Sequence, residues 1–217
     1  MGIRILLADD HAILRDGLSQ AFQQEDDMEI VGQVGDGHAA VEKAKELLPD
    51  IVVMDINMPN LNGIEATREI RRQAPGVRVI VLSMHSGKPC IKEVFRAGAW
   101  AYLHKNCGFD ELARAVRTVA EGKPYVSPSI SNVVVEELGR TEEKIEATAF
   151  SLLTPREREI LQLLAEGGTI KQIAHQLHVS HKTVEAHRLR IMNKLNVDTV
   201  AQLTKYAIQE GLTTAEL

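Results

Sequence analysis

Through residue 122, short apolar runs alternate with amphipathic stretches of helical period, and this alternation strongly limits the folds open to the chain. Strands are predicted near 3–8, 29–34, 51–54, 78–82 and 100–103, and helices near 11–24, 38–48, 62–73, 87–97 and 109–121. Strands that alternate with helices are typical of a parallel sheet with helices on both faces. The run 51–54 is apolar throughout, as expected of a strand buried on both sides. The sequence therefore predicts an α/β doubly wound five-stranded parallel sheet.

Charged and polar residues follow four of these strands where each one ends. Asp9 and Asp10 follow the first strand, Asp55 the third, Ser83 the fourth and Lys105 the fifth. Ligands bind in open parallel sheets beyond the carboxyl ends of the strands. Carboxylates that lie together repel one another, and Mg²⁺, which prefers a few oxygen ligands, relieves that repulsion. Because an ammonium and a hydroxyl group can also bind phosphate oxygens, the pattern predicts a magnesium-dependent site that handles phosphate.

With this set of strand-end residues, 1–122 resembles the receiver domain of two-component response regulators. The resemblance implies that Asp55 accepts a phosphoryl group from a sensor histidine kinase, and that the protein is a switch and not an enzyme with turnover. Water is then expected to hydrolyse the acyl phosphate slowly. One departure is Asn106 after Lys105, where the family more often has Asp or Pro.

The same resemblance implies roles for the residues around Asp55. Asp10 and Asp55 would bind Mg²⁺ directly together with the backbone carbonyl of Asn57, and Asp9 would act through water. Ser83 and Tyr102 resemble the pair that reorients on phosphorylation.

The chain changes character after residue 122. Gly122-Lys123-Pro124 ends the fifth helix, and 123–150 is predicted to be a linker with a short helix near 128–139. From 151 to 217 the pattern is all-helical. Thr154-Pro155-Arg156-Glu157 has the N-cap, first-turn proline and capping glutamate of a helix start. Thr169 with Gln172 repeats that spacing, Ser180 precedes a helix predicted at 181–195, and another helix is predicted at 199–209.

The net charge of −5 does not exclude a nucleic-acid partner, because the charge is unevenly distributed. Residues 171–194 contain one acidic residue, Glu185, and five basic ones: Lys171, Lys182, Arg188, Arg190 and Lys194. Such a local excess of positive charge favours binding to a polyanion.

Residues 151–217 resemble the LuxR/NarL/FixJ-type DNA-binding domain. The resemblance depends on the runs Leu153–Leu161, Ile173-Ala174, Ser180–His187 and Ile191–Leu195. It implies a four-helix domain in which 170–178 and 181–195 form a helix-turn-helix. It also implies that a homodimer binds two half-sites of double-stranded DNA.

Helical phase separates two faces of the predicted helix 181–195. At about 100° per residue, Val184, Ile191 and Leu195 form a core stripe. The opposite face carries Glu185, Ala186, Leu189 and Asn193, and the side chains of the first three are suited to base edges. Lys182, Arg188, Arg190 and Lys194 would neutralise phosphates, and Thr183 completes the predicted DNA contacts. An alternative interpretation is that Leu189 forms part of a protein–protein interface.

Other functional classes fit the sequence less well. An Asp-nucleophile phosphatase would carry Asp-x-Asp, whereas Asp55-Ile56-Asn57 has one carboxylate. A DNA-binding protein with an inert receiver would not need the full set of site residues. Cys90 and Cys107 match no metal or redox spacing and are expected to be free thiols. No apolar run approaches ~18 residues and no signal-peptide pattern is present, so a cytoplasmic protein without membrane contact is expected.

Overall fold

The chain divides into two compact units, Met1–Thr141 and Glu142–Leu217. The structure is a computed structural model that describes residues 2–84, 88–128, 130–131 and 152–213. The predicted helix near 128–139 and the rest of the predicted linker up to 150 fall almost wholly outside the described residues.

The first unit contains a parallel sheet in the strand order β2-β1-β3-β4-β5-β6. Its strands are β1 (Ile3–Ala8), β2 (Met28–Val34), β3 (Ile51–Asp55), β4 (Arg78–Ser83), β5 (Ala101–His104) and β6 (Tyr125–Val126). The predicted doubly wound sheet is confirmed, and all five residues of β3 are buried as expected. The sixth strand was not predicted, because it contains only two residues and follows Pro124 directly.

Five helices connect the strands. They are α1 (Ala12–Phe22), α2 (Gly37–Leu47), α3 (Gly63–Gln73), α4 (Lys88–Ala97) and α5 (Phe109–Ala120). Their bounds differ from the predicted ones by one or two residues. The buried face of α5, which includes Leu112, Val116 and Val119, packs in one apolar core with Ile5, Val53, Ile80 and Leu103 of the sheet.

Strand register brings the polar strand ends to one edge of the sheet. Ala8 pairs with Met54, so the next residues, Asp9 and Asp55, are neighbours where β1 and β3 end. Ser83 lies beside His104, which places Lys105 one residue beyond it. The expectation that these residues share one edge is therefore confirmed.

The second unit is helical within its described residues. Its helices are α6 (Pro155–Ala165), α7 (Ile170–Gln176), α8 (His181–Leu195) and α9 (Val200–Gln209). The predicted caps at Thr154, Thr169 and Ser180 are confirmed by side-chain hydrogen bonds. α8 packs against α6 and α7, and α9 packs against α6. In neither unit do the described helices have the length and apolar composition that a bilayer crossing requires.

Candidate functional site

A buried cluster of charges lies at the carboxyl edge of the sheet. The Nζ of Lys105 lies 2.8 Å from Oδ2 of Asp9 and 2.9 Å from Oδ2 of Asp55. Asp9 is 4% exposed and Asp55 is 2% exposed. A single ammonium therefore contacts two buried carboxylates, so the cluster keeps an excess of negative charge when both are ionised.

The pKa of Asp55 reflects this environment. Burial raises its pKa to about 6, Lys105 opposes the rise, and the neighbouring charge of Asp9 adds to it. Burial lowers the pKa of Lys105, but Asp55 and Asp9 outweigh that effect, so its pKa lies above the ordinary value. A further cation beside Asp55 would favour the ionised carboxylate.

Four residues place possible metal ligands within one small volume. One ligand atom each from Asp9, Asp10, His11 and Asp55 lies within 4.8 Å of the others. Carboxylate oxygens are the ligands that Mg²⁺ prefers, so the donor set fits that ion. Asn57, whose backbone carbonyl is a predicted ligand, lies two residues beyond Asp55 in the loop that leads to α3.

The two oxygens of Asp9 already have partners in the chain. Oδ1 accepts a hydrogen bond from the backbone N–H of His11 at 2.9 Å, and Oδ2 contacts Lys105. Asp10 is exposed, and its Oδ1 lies 2.7 Å from Nδ1 of His11. The roles of Asp10 as a direct ligand and of Asp9 as an indirect one stay predictions.

Ser83 and Tyr102 meet in the interior beside the cluster. Both are fully buried, and their hydroxyl groups are hydrogen-bonded to each other. The Tyr102 hydroxyl also contacts the thiol of Cys90 on α4, and burial raises the pKa of that thiol to about 12. Burial likewise raises the pKa of Tyr102. The two residues predicted as a pair are therefore in direct contact, in a place closed to solvent.

Sequence reasoning missed three residues near the site. His11 follows the acidic pair directly, and Arg15 lies one helical turn later, where its Nη1 donates a hydrogen bond of 2.5 Å to the backbone carbonyl of Asp9. Gly63 is needed for a close approach, since a Cβ there would lie 1.9 Å from the carbonyl oxygen of Asp55. The position directly after the acidic pair was a signal for His11.

The second candidate surface lies on α8. Val184 and Ile191 are fully buried, as predicted, whereas Leu195 is only half-buried near the end of the helix and forms a weaker part of the stripe than expected. Leu189 is 56% exposed. Around it, Lys182, Glu185, Arg190 and Asn193 are exposed, and Ala186 and Arg188 are half-buried.

Comparison with known proteins gives the family. Residues 5–117 match the family described as "Response regulator receiver domain", and 151–207 match "Bacterial regulatory proteins, luxR family". The chain belongs to the LuxR-type response regulators. It is 38% identical to the oxygen regulatory protein NreC of Staphylococcus carnosus (strain TM300), over 97% of this chain and 99% of that protein.

Solved response regulators have similar structures. One is the LuxR-family two-component response regulator from Aurantimonas sp. SI85-9A1, with 34% identity, a TM-score of 0.61, and coverage of 64% of this chain and all of that one. Another is the response regulator RcsB in complex with DNA, with 26% identity, a TM-score of 0.60, and coverage of 95% of this chain and 98% of that one.

Two predicted DNA contacts of this response regulator also act within its fold. The Nζ of Lys194 lies 2.6 Å from Oε2 of Glu157, the residue that closes the capping box of α6. Burial raises the pKa of Glu157, but Lys194 and Thr154 outweigh that effect and hold it below its ordinary value. Thr183 contacts Ser180 through its hydroxyl at 2.8 Å and belongs to the N-terminal cap of α8. Their roles in DNA binding stay predictions.

Proposed function

We propose that this response regulator is a transcription regulator controlled by phosphorylation of Asp55. The observation that carries the proposal is the buried Asp9–Lys105–Asp55 cluster, which lies beside the Ser83–Tyr102 pair at the ligand-binding edge of the sheet. The second unit of the same chain has an exposed basic helix in a helix-turn-helix arrangement. The first unit would receive the signal and the second would deliver it to DNA.

The phosphoryl donor is proposed to be a phosphohistidine of a sensor kinase. A carboxylate oxygen of Asp55 attacks the phosphorus, the phosphorus–nitrogen bond breaks, and the imidazole leaves with its electron pair. The product is an acyl phosphate on Asp55. Lys105 is already 2.9 Å from that carboxylate and would transfer its contact to a phosphoryl oxygen. Catalysis of this kind depends mainly on positioning and charge neutralisation.

The metal ion is proposed to be Mg²⁺. Asp10, Asp55 and the backbone carbonyl of Asn57 would bind it directly, with Asp9 in the next layer because Lys105 and His11 occupy its oxygens. When bound, the ion supplies positive charge next to the phosphoryl oxygens.

The signal is proposed to pass from Asp55 through the buried hydroxyl pair. A phosphoryl group adds about −1.5 to −2 charge and three acceptor oxygens. Ser83 would turn its hydroxyl toward those oxygens, and Tyr102 would then lose its hydrogen bond to Ser83. Tyr102 pairs with Val126 of β6, and the backbone N–H of Ser127 donates to the Tyr102 carbonyl at 3.5 Å. A movement of Tyr102 would therefore act on β6 and on Ser127 directly after it.

The output is proposed to be binding of double-stranded DNA by a dimer, in the cytoplasm. The similar RcsB structure, which is a complex with DNA, supports this assignment. α8 would enter the major groove, with Glu185, Ala186 and Leu189 toward base edges. The residues toward phosphates would be Lys182, Thr183, Arg188, Arg190 and Lys194. α5 and α9 are the proposed dimer surfaces by family resemblance.

Phosphate incorporation tests the site assignment. The full chain is incubated with Mg²⁺ and a small-molecule phosphodonor, and intact mass spectrometry measures the bound phosphoryl group. Wild type should gain one group and Asp55→Asn none. Asp50→Asn is the matched control, because Asp50 is an exposed carboxylate at the other end of β3 and should leave incorporation unchanged. Equal incorporation in wild type and Asp55→Asn would refute the assignment.

A further inference from the structure

The imidazole of His11 lies among the carboxylates of the proposed metal site. We propose that His11 is a nitrogen ligand for a first-row transition-metal ion, so that this site binds Mn²⁺ and similar ions through a different ligand set from Mg²⁺. The inference rests on the proposed function, because it uses the same site.

The distances around His11 suit ligands of one ion. Nδ1 of His11 lies 2.7 Å from Oδ1 of Asp10 and 3.2 Å from Oδ1 of Asp9. Two ligands at about 2.1 Å from a metal and at right angles to each other lie about 3.0 Å apart. The four ligand atoms of the group lie within 4.8 Å of one another, compared with about 4.2 Å for opposite ligands of such an ion. Small side-chain movements would therefore bring them to a single ion.

The His11 side chain has no structural duty in the described part of the chain that would prevent this role. His11 is the N-cap residue of α1, yet its side chain makes no capping hydrogen bond. The backbone N–H donates to Oδ1 of Asp9 at 2.9 Å, and Nδ1 of the ring lies within hydrogen-bond distance of the same oxygen, at 3.2 Å. The ring is 57% exposed, and its Nδ1 contacts only the two carboxylates named above among the described residues.

The burial of the Asp55 carboxylate is a second observation that favours a bound cation at this site. Oδ1 of Asp55 is buried and receives no hydrogen bond of normal geometry from the described residues, although the backbone N–H of Asn57 lies close enough to the carboxyl to lower its pKa. A buried carboxylate oxygen without a partner is unfavourable unless a cation or a hydrogen-bond donor reaches it. Asp55 and His11 belong to the same ligand group, so an ion that contacts His11 is also within reach of Asp55.

The type of ion follows from the chemistry of the ligands. Imidazole nitrogen is a better ligand for first-row transition metals than for Mg²⁺, which binds oxygen and keeps several waters, and among those metals Mn²⁺ has the weakest preference for it. With Mg²⁺, His11 would stay hydrogen-bonded to Asp10. With a transition metal, the ring would carry its proton on Nε2 instead of Nδ1, and the lone pair of Nδ1 would bind the ion in place of the hydrogen bond to Asp10. Asp10 and Asp55 would thus serve both ions, and His11 would add affinity for one of them.

Electron spin echo spectroscopy of the full chain with bound Mn²⁺ tests the ligand directly. Wild type should show modulation from a coordinated nitrogen that changes when the histidines are labelled with ¹⁵N. The modulation should disappear in His11→Ala and in His11→Gln, and it should persist in the control His175→Ala, whose histidine is exposed on α7. Bound Mn²⁺ without nitrogen modulation in wild type would overturn the inference.

Titration calorimetry with Mn²⁺ and Mg²⁺ separates this inference from the proposed function. His11→Ala should weaken Mn²⁺ binding at least about tenfold, since loss of even an outer partner of a metal ligand typically has that effect. Its Mg²⁺ affinity should stay within about twofold of wild type, because oxygen ligands hold that ion. Equal Mn²⁺ affinity in wild type and His11→Ala would refute the role of His11 and leave the proposed phosphoacceptor site untouched. Failure of wild type to bind either ion would refute the phosphoacceptor site itself.

Discussion

The two functional regions of this response regulator differ in how deeply their charged side chains are buried. At the sheet edge, the side chain of Lys105 is 8% exposed and Asp55 is 2% exposed. On α8, Leu189 is 56% exposed and its basic neighbours Lys182 and Arg190 face solvent. Buried charges affect the free energy of unfolding as well as the chemistry, whereas surface groups away from special features change stability little. Substitutions in the two regions should therefore have different kinds of effect.

The largest expected effect is that of Lys105→Met. Removal of the ammonium leaves Asp9 and Asp55 buried without their shared partner, so the free energy of unfolding at pH 7 should fall by about 3–5 kcal/mol. Trp100 is the only tryptophan and lies in the first unit, so its fluorescence during urea unfolding reports on that unit. Lys123→Met is the control, since its ion pair with Glu121 is exposed and should matter little. Similar small losses in both variants would contradict the account.

Asp55→Asn should act in the opposite direction. The pKa of Asp55 in the fold, about 6, lies above its ordinary value of 3.8, so the stability linked to its neutral form is present below about pH 4 and is lost as pH rises through about 6. Without metal, the variant should be more stable than wild type at pH 7, by on the order of 2–3 kcal/mol. The same tryptophan measurement at pH 4 should show little difference. A variant less stable than wild type at pH 7 would refute the pKa assignment.

Leu189→Ala tests the exposed face of α8. If Leu189 contacts a base, the variant should change the preference at one base-pair position by about 1 kcal/mol, which binding to a set of duplexes selected from a random pool would measure. The stability of the second unit should stay the same, because Leu189 is exposed. Leu152→Ala, at another exposed leucine, is the control for preference. Uniform weakening on all duplexes would argue against a base contact.

The smallest expected effects are those of substitutions at two lysines of α8, and they should differ in kind. Lys182→Ala should weaken binding to all duplexes and lower the slope of log affinity against log salt by about 0.9 if one phosphate contact is lost. Lys194→Ala should mainly weaken the link between α8 and α6, with a loss below about 1 kcal/mol because Lys194 is partly exposed. Hydrogen exchange of α6 and α8 amides would measure the second effect. A full change of slope with Lys194→Ala would identify it as a phosphate contact instead.

The sequence predicted the sheet edge better than the DNA face. Buried carboxylates at strand ends are unusual, so Asp9, Asp55 and Lys105 stood out, and parallel register then brought them together. The contact of Tyr102 with Cys90 was not predictable, because it depends on how α4 packs on β5. The exposed residues of α8 contribute little to the stability of the fold, so folding principles do not predict their contacts. Helical phase placed Leu189 on the surface, but it did not show that Lys194 pairs with Glu157, 37 positions earlier in the chain.

The most direct test of the account is the DNA affinity of the full chain with and without a phosphoryl group on Asp55. Fluorescence anisotropy with a selected duplex would measure it at fixed salt, in wild type and in Asp55→Asn. The account predicts that the phosphodonor raises the affinity of wild type by about 5- to 150-fold, the usual range for coupled sites, and leaves Asp55→Asn unchanged. Equal affinity of phosphorylated and unphosphorylated wild type would contradict control through Asp55.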